Sequence, residues 1–122
     1  MIPTTLVTGP TAATRERAIA AVLLPGAPTA IILEGLADAN SPLVYDESDP
    51  TVWQPQVHRI APGCLCCAGN LVLRVTLNRL LRRPPAQLFI SLADATHVDS
   101  LRAMLVTAPY DALLRLEPVL NA

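Results

Sequence analysis

The sequence predicts an α/β fold in which a mostly parallel sheet is covered by helices on both faces. Segments of strand length alternate with segments of helical spacing along the chain, which is the pattern of successive β-α units. Thr29-Ala30-Ile31-Ile32-Leu33 is apolar on consecutive positions, as a strand buried on both faces is, and Leu88-Phe89-Ile90-Ser91-Leu92 nearly so. A chain of 122 residues, 52% hydrophobic and 16% charged, fills one core rather than two and is too apolar for intrinsic disorder. Residues 1–122 therefore read as a single domain.

Thr4-Thr5-Leu6-Val7-Thr8 is β-branched and stops at Gly9-Pro10, a strand followed by a turn. Ala12 to Leu24 reads as a helix with Ile19, Val22 and Leu23 on one face and Arg15, Glu16 and Arg17 in its first turns, ended by Pro25-Gly26. The second strand, Thr29 to Leu33, leads through Glu34-Gly35 into a polar stretch, Ala37 to Pro55, expected to hold a loop and one irregular edge element. Gln56-Val57-His58-Arg59-Ile60 is a third strand, broken at Pro62-Gly63. Asn70 is placed to cap a helix whose Leu73, Leu77, Leu80 and Leu81 recur at helical spacing. Arg79, Arg82 and Arg83 suit the negative end of its dipole, and Pro84-Pro85 stops it. Beyond the strand at 88–92, Thr96 and Asp99 resemble a capping box for a helix carrying Val98, Leu101 and Leu105 and ended by Pro109. The last apolar segment, Ala112 to Leu120, contains Pro118.

Composition excludes several functions. Nine basic against ten acidic residues, a net charge of −1, gives no electrostatic footprint for nucleic acid. All nine basic residues are Arg, so neither a Schiff-base lysine nor the phosphate-binding lysine of a P-loop exists. Trp53, Tyr45, Tyr110 and Phe89 are too few to stack single-stranded bases. The longest apolar run, Ala18 to Leu24, falls far short of the roughly 20 residues of a membrane span. Met1-Ile2-Pro3-Thr4-Thr5 lacks the basic head of a signal peptide. A cytoplasmic protein without membrane partners is expected.

In a parallel sheet of this kind ligands bind beyond the carboxyl ends of the strands, here the loops after Thr8, Leu33, Ile60 and Leu92. The loop after Ile60 carries all three cysteines, Cys64, Cys66 and Cys67, within four residues, an arrangement chance gives about once in a thousand such chains. Clustered thiols in a reducing compartment point to metal or redox chemistry rather than disulfides. Three thiolates on a turn suit zinc, with Cu(I) second, and a helix opening at Asn70 would depress the thiol pKa values. A closed zinc site needs a fourth donor: water, Glu34, His58, His97 or a group from another chain. The alternative is three reduced cysteines acting as small hydrophobes. The loop after Thr8 sits where a phosphate-binding G-x-x-x-x-G-K-[ST] would, but the second Gly is Thr14, the Lys is Arg15 and the hydroxyl is Glu16. Gly9, Thr14 and Arg15 are what is left to meet an anion at the helix start. Nucleotide binding is not expected, and hydrolysis less so.

A strand, a Gly-headed loop and helix, then Gly63-Cys64-Leu65-Cys66-Cys67 before another helix resemble the CobW family of P-loop GTPases and metal chaperones. The family's G-C-x-C-C motif is intact. Its phosphate loop is matched in type only at Gly9 and in position at Thr14, Arg15 and Glu16; the acidic residue of its N-E-x-G stretch is matched by Glu34. Its later E-x-x-G falls on Ser91-Leu92-Ala93-Asp94, where both determinants are lost. Glu117 to Ala122 resembles the strand preceding the family's guanine-reading N-K-x-D, which lies beyond the last residue, as does the family's C-terminal domain.

The resemblance implies a three-layer αβα sandwich of the P-loop NTPase, Rossmann-like kind, truncated, with a metal site at Cys64, Cys66 and Cys67 and a disabled nucleotide site. The expected function is metal storage, delivery or sensing without GTP hydrolysis, the partners being a metal ion and either another protein or further copies of the chain. Three other functions compete: a residual GTP- or ATP-binding protein using Arg15, a regulatory scaffold binding a true GTPase of the family, and a thiol-redox role for an exposed low-pKa cysteine.

Overall fold

A computed structural model describes residues 1–35, 41–43, 53–60 and 71–122. The fold is α/β, with a parallel sheet between helices on both faces, as in Rossmann-like sandwiches. The strands β1 (Ile2–Thr8), β2 (Thr29–Glu34), β3 (Gln56–Ile60), β4 (Gln87–Ser91) and β5 (Leu114–Leu116) lie in the order β3-β2-β4-β1-β5. A short β6 (Leu120–Asn121) also pairs with β1. Every pairing is parallel, from Thr29↔Gln87 and Thr4↔Leu88 in the middle to Ala30↔Gln56 at one edge and Ile2↔Leu114 at the other. Among the described residues no helix is long and apolar enough to cross a membrane.

The helices are α1 (Ala12–Val22), α2 (Leu71–Leu80) and α3 (Val98–Leu105). The period-two alternation of the strands sends Val7, Ile31, Leu33 and Phe89 to one face, where Ile19 of α1 packs. Leu6, Ile32, Leu88 and Ile90 go to the other, against Leu73, Leu77 and Leu80 of α2 and Leu101 and Leu105 of α3. From β1 the chain crosses to β2 over the α1 face; from β3 to β4 and from β4 to β5 it returns over the opposite face. The loops that follow the neighbouring strands β1 and β4 thus leave in opposite directions. That divergence opens a crevice at the carboxyl edge of the sheet, where folds of this type bind ligands.

Several boundaries differ from the pattern-based expectation, each for a local reason. Strand β1 starts at Ile2 rather than Thr4. Pro3 is tolerated because β4 joins only at Thr4, so the N–H that Pro3 lacks is not required there. Helix α1 stops at Val22 instead of Leu24, since the residue before Pro25 is pushed out of helical geometry. Val22, expected on the buried face, is 44% exposed, whereas Arg15 and Glu16 are buried beside Ile19. The cap before α3 is Asp94, not Thr96: its carboxylate accepts the Thr96 N–H at 2.9 Å and starts a 3₁₀ turn, Ala95–His97, that runs into the helix. Helix α3 ends at Leu105, ahead of Pro109. The final apolar segment is two short strands, because Pro118 interrupts the ladder that Glu117 N–H to Thr4 O (2.9 Å) and Ala122 N–H to Thr8 O (2.7 Å) bracket. Most of the polar stretch 37–55, the cysteine segment and the expected cap Asn70 lie outside the described residues.

The contrast on α1 is measurable. Ile19→Ala is expected to cost about 2–5 kcal/mol in urea denaturation, and Val22→Ala no more than about 0.5 kcal/mol. Equal losses would contradict the placement of the helix.

Candidate functional site at the carboxyl edge of the sheet

Helix α1 begins with an N-cap that consumes its own donors. The Thr11 side chain accepts the Thr14 N–H at 3.1 Å, and the hydroxyls of Thr11 and Thr14 share a hydrogen at 2.7 Å. Four residues after Thr11, Arg15 turns inward and is 3% exposed. Its Nε donates to Ser91 Oγ at 2.8 Å, one terminal nitrogen to the Gly9 carbonyl at 3.0 Å, and the other to the Glu34 carbonyl at 3.4 Å. One guanidinium therefore ties the ends of β1, β2 and β4 together across the crevice. Gly9 must be glycine for this approach: a Cβ there would lie 2.9 Å from Ala122 Cβ and 3.0 Å from Arg15 Cγ. Burial pushes the Arg15 pKa down, and the carboxylates of Glu34 and Glu16 oppose that shift.

Gly9, Thr14 and Arg15, the residues expected to meet an anion, are thus gathered in one place, with Arg15 facing backbone carbonyls and a hydroxyl. A phosphate seat presents N–H donors, whereas this crevice presents oxygen acceptors to a built-in cation. Glu16 is 3% exposed; it accepts from Ser41 Oγ and pairs with Arg59 of β3 at 2.9 Å, holding Ser41 against α1. At the same edge Glu34 Oε1 accepts the Ala93 N–H at 2.7 Å, and Thr8 Oγ1 donates to Asn121 Oδ1 at 2.7 Å. Neither Arg59 nor Asn121 is a site candidate in the sequence, and Ser91 enters it only as the residue standing where the later E-x-x-G of the resemblance begins. A signal for the inward turn was present, since Arg15 stands four residues before Ile19 and eight before Leu23, on the stripe that packs on the sheet.

The candidate metal ligands divide between described and undescribed positions. Cys64, Cys66 and Cys67 lie outside the described residues. Their segment leaves β3 after Ile60, which pairs with Glu34, so the buried Glu34 carboxylate belongs to the edge from which the cysteines depart. His58 pairs with Ile32, two residues back from that edge, and Arg79, near the end of α2, lies close enough to push its pKa down further than burial already does. His58 Nε2 is buried and has no hydrogen-bond partner among the described residues. His97 lies in the 3₁₀ turn, 3.8 Å from Asp94. Among the described residues no group of three or more His, Cys, Asp or Glu side chains is gathered to hold a metal ion. Thiols and a carboxylate are, by residue type, the kinds of donor that zinc takes. No protein-family model, curated protein or solved structure matches the chain.

Two outcomes follow from this geometry. Arg15→Met should lower unfolding stability by about 2–4 kcal/mol by stranding three acceptors, and Arg15→Lys should recover only part of it, because one ammonium cannot span the fork. Full recovery by Lys would show that charge alone matters. For His58, the folded-state pKa lies below the ordinary 6.5, so the unfolded chain binds the proton first. Stability should therefore fall as pH drops below that value. Denaturation at pH steps should show a weaker dependence in His58→Leu than in the wild type.

Proposed function

We propose that the chain is a metal-binding CobW-like domain in which Cys64, Cys66 and Cys67 bind zinc, and that it works in metal storage, delivery or sensing without hydrolysing nucleotide. The observation that carries the reading is the placement of three thiols within four residues directly after β3, a strand that ends beside buried Glu34. Of the fourth-donor candidates, Glu34 is favoured by its position at that edge; His58 is disfavoured by its depth along β3 and by the positive charge of Arg79. Zinc, when bound, would supply a closed thiolate-rich centre of the kind that stabilises or stores rather than one that activates water.

Loss of nucleotide chemistry is supported by the crevice between β1 and β4, where the Arg15 guanidinium is committed to Ser91 and to the carbonyls of Gly9 and Glu34 rather than turned toward an anion. A GTP- or ATP-binding protein would require that side chain to leave three acceptors and swing outward.

Competition of the reduced protein with a chromophoric zinc chelator tests the reading. Wild type should withdraw zinc in near one-to-one stoichiometry, the triple Cys→Ser variant should not, and Glu34→Gln should bind at least about tenfold more weakly. No competition, or competition unchanged in the triple variant, would end the proposal. Micromolar binding of a fluorescent GTP analogue with Mg²⁺ would favour the nucleotide reading instead.

A further inference from the structure

The two faces of the sheet are covered unequally. Among the described residues α2 and α3 pack on one face and α1 alone on the other, where Ile19 clusters with Val7, Ile31, Leu33 and Phe89. The strand register shows what lies beside α1 on its own face. Pro3 and Thr5 share that side with Val7, because the residues of a strand alternate, and Arg115 and Leu120 pair with Pro3 and Val7. Between Val22, at the end of α1, and Leu120 runs an open groove of about 360 Å³, with Thr5 and Phe89 beneath it and Pro118 in its wall. The β5 margin of this side carries the exposed ion pair of Arg115 and Glu117.

Helix α1 is itself apolar toward solvent. Two of its three charged residues, Arg15 and Glu16, are buried. Ala13, Arg17 and Ala21, each a helical turn from the next, are exposed, and Val22 and then Leu24, 64% exposed, continue the stripe. A helix apolar on both sides is ordinarily covered on both. A membrane surface is a poor cover, because interfacial helices insert large apolar side chains opposite a basic face, and alanine supplies neither. A protein surface matches better. Alanine lets a second backbone approach closely, and Arg17, in no ion pair among the described residues, calls for an acid. Glu117, on the β5 margin of the same face, is such an acid.

We propose that α1 of one copy of this chain lies in the groove between α1 and β6 of a second copy, giving a two-fold dimer. Helix and groove stand side by side on one face of the sheet. A copy that seats its helix in the partner's groove therefore receives the partner's helix in its own, and the contact closes on itself. The two helices share one layer between the two sheets, and the Arg17 of each copy meets the Glu117 of the other. The dimer draws on none of the cysteines and is independent of zinc.

Sedimentation velocity on the full chain, with reductant and chelator present, tests it. At tens of micromolar the wild type should sediment as a dimer. Ala21→Arg, a bulky cation where close approach is needed, should weaken association at least about tenfold, and Leu71→Arg, on the exposed side of α2, should leave it unchanged. Arg17→Glu and Glu117→Arg should each weaken it. An equimolar mixture of those two variants should recover the dimer, because both contacts of the mixed pair then join opposite charges. A wild type that stays monomeric would overturn the proposal, as would a dimer indifferent to Ala21→Arg and to both charge reversals, or one that Leu71→Arg breaks equally well. Because the chelator removes metal, failure here leaves the zinc reading standing, and failure to bind zinc leaves the dimer untouched.

Discussion

The ends of β1, β2 and β4 are held together by a single buried guanidinium. Arg15 reaches Ser91 and the carbonyls of Gly9 and Glu34, so three strands that are far apart in sequence share one donor fork. Burying a cation among backbone oxygens is favourable only when geometry is good and the donors are satisfied. Here the satisfaction dictates the local sequence. Residue 9 must lack a Cβ, residue 91 must offer a hydroxyl, and the helix must start early enough that residue 15 faces the sheet. The carboxylates of Glu34 and Glu16 stand nearby and favour the charged form.

This arrangement changes what the edge can do. In phosphate-binding β-α folds the loop after the first strand points N–H groups at an anion, and the crevice is filled only when a ligand arrives. Here the helix N-terminus is capped by Thr11 and the crevice is filled by the chain itself. Under the zinc proposal, the donors for a soft cation come from Glu34, at the end of β2, and from the cysteines that follow β3 in sequence, rather than from the first loop.

Much of the fold was legible in the sequence because burial on both faces writes itself as consecutive apolar residues. The runs at 29–33 and 88–92 and the leucine spacing of α2 needed no tertiary information. What was not legible depended on long-range partners. Arg15 and Glu16 look like the solvated first turn of a helix until Ser91, Arg59 and Ser41 are brought to them. Val22 looks like core until the helix is seen to end there, turning it toward solvent. Asp94 outcompetes Thr96 as a cap because its carboxylate is the better acceptor for an amide two residues on, a competition that spacing alone does not rank. At the site, the clustering of the cysteines is a feature of the sequence whose segment lies outside the described residues, whereas the separation of Glu34 from His58 along neighbouring strands required the register.

Pro118 has a consequence for assembly. It sits between β5 and β6, on the outer side of β1, and removes one amide from a border already reduced to strands of three and two residues. A row of unpaired amides and carbonyls invites a foreign strand to extend the sheet, and a broken, proline-bearing row does not. On this side the border is a poor template for backbone pairing with a foreign strand, which guards the sheet against growth from that edge.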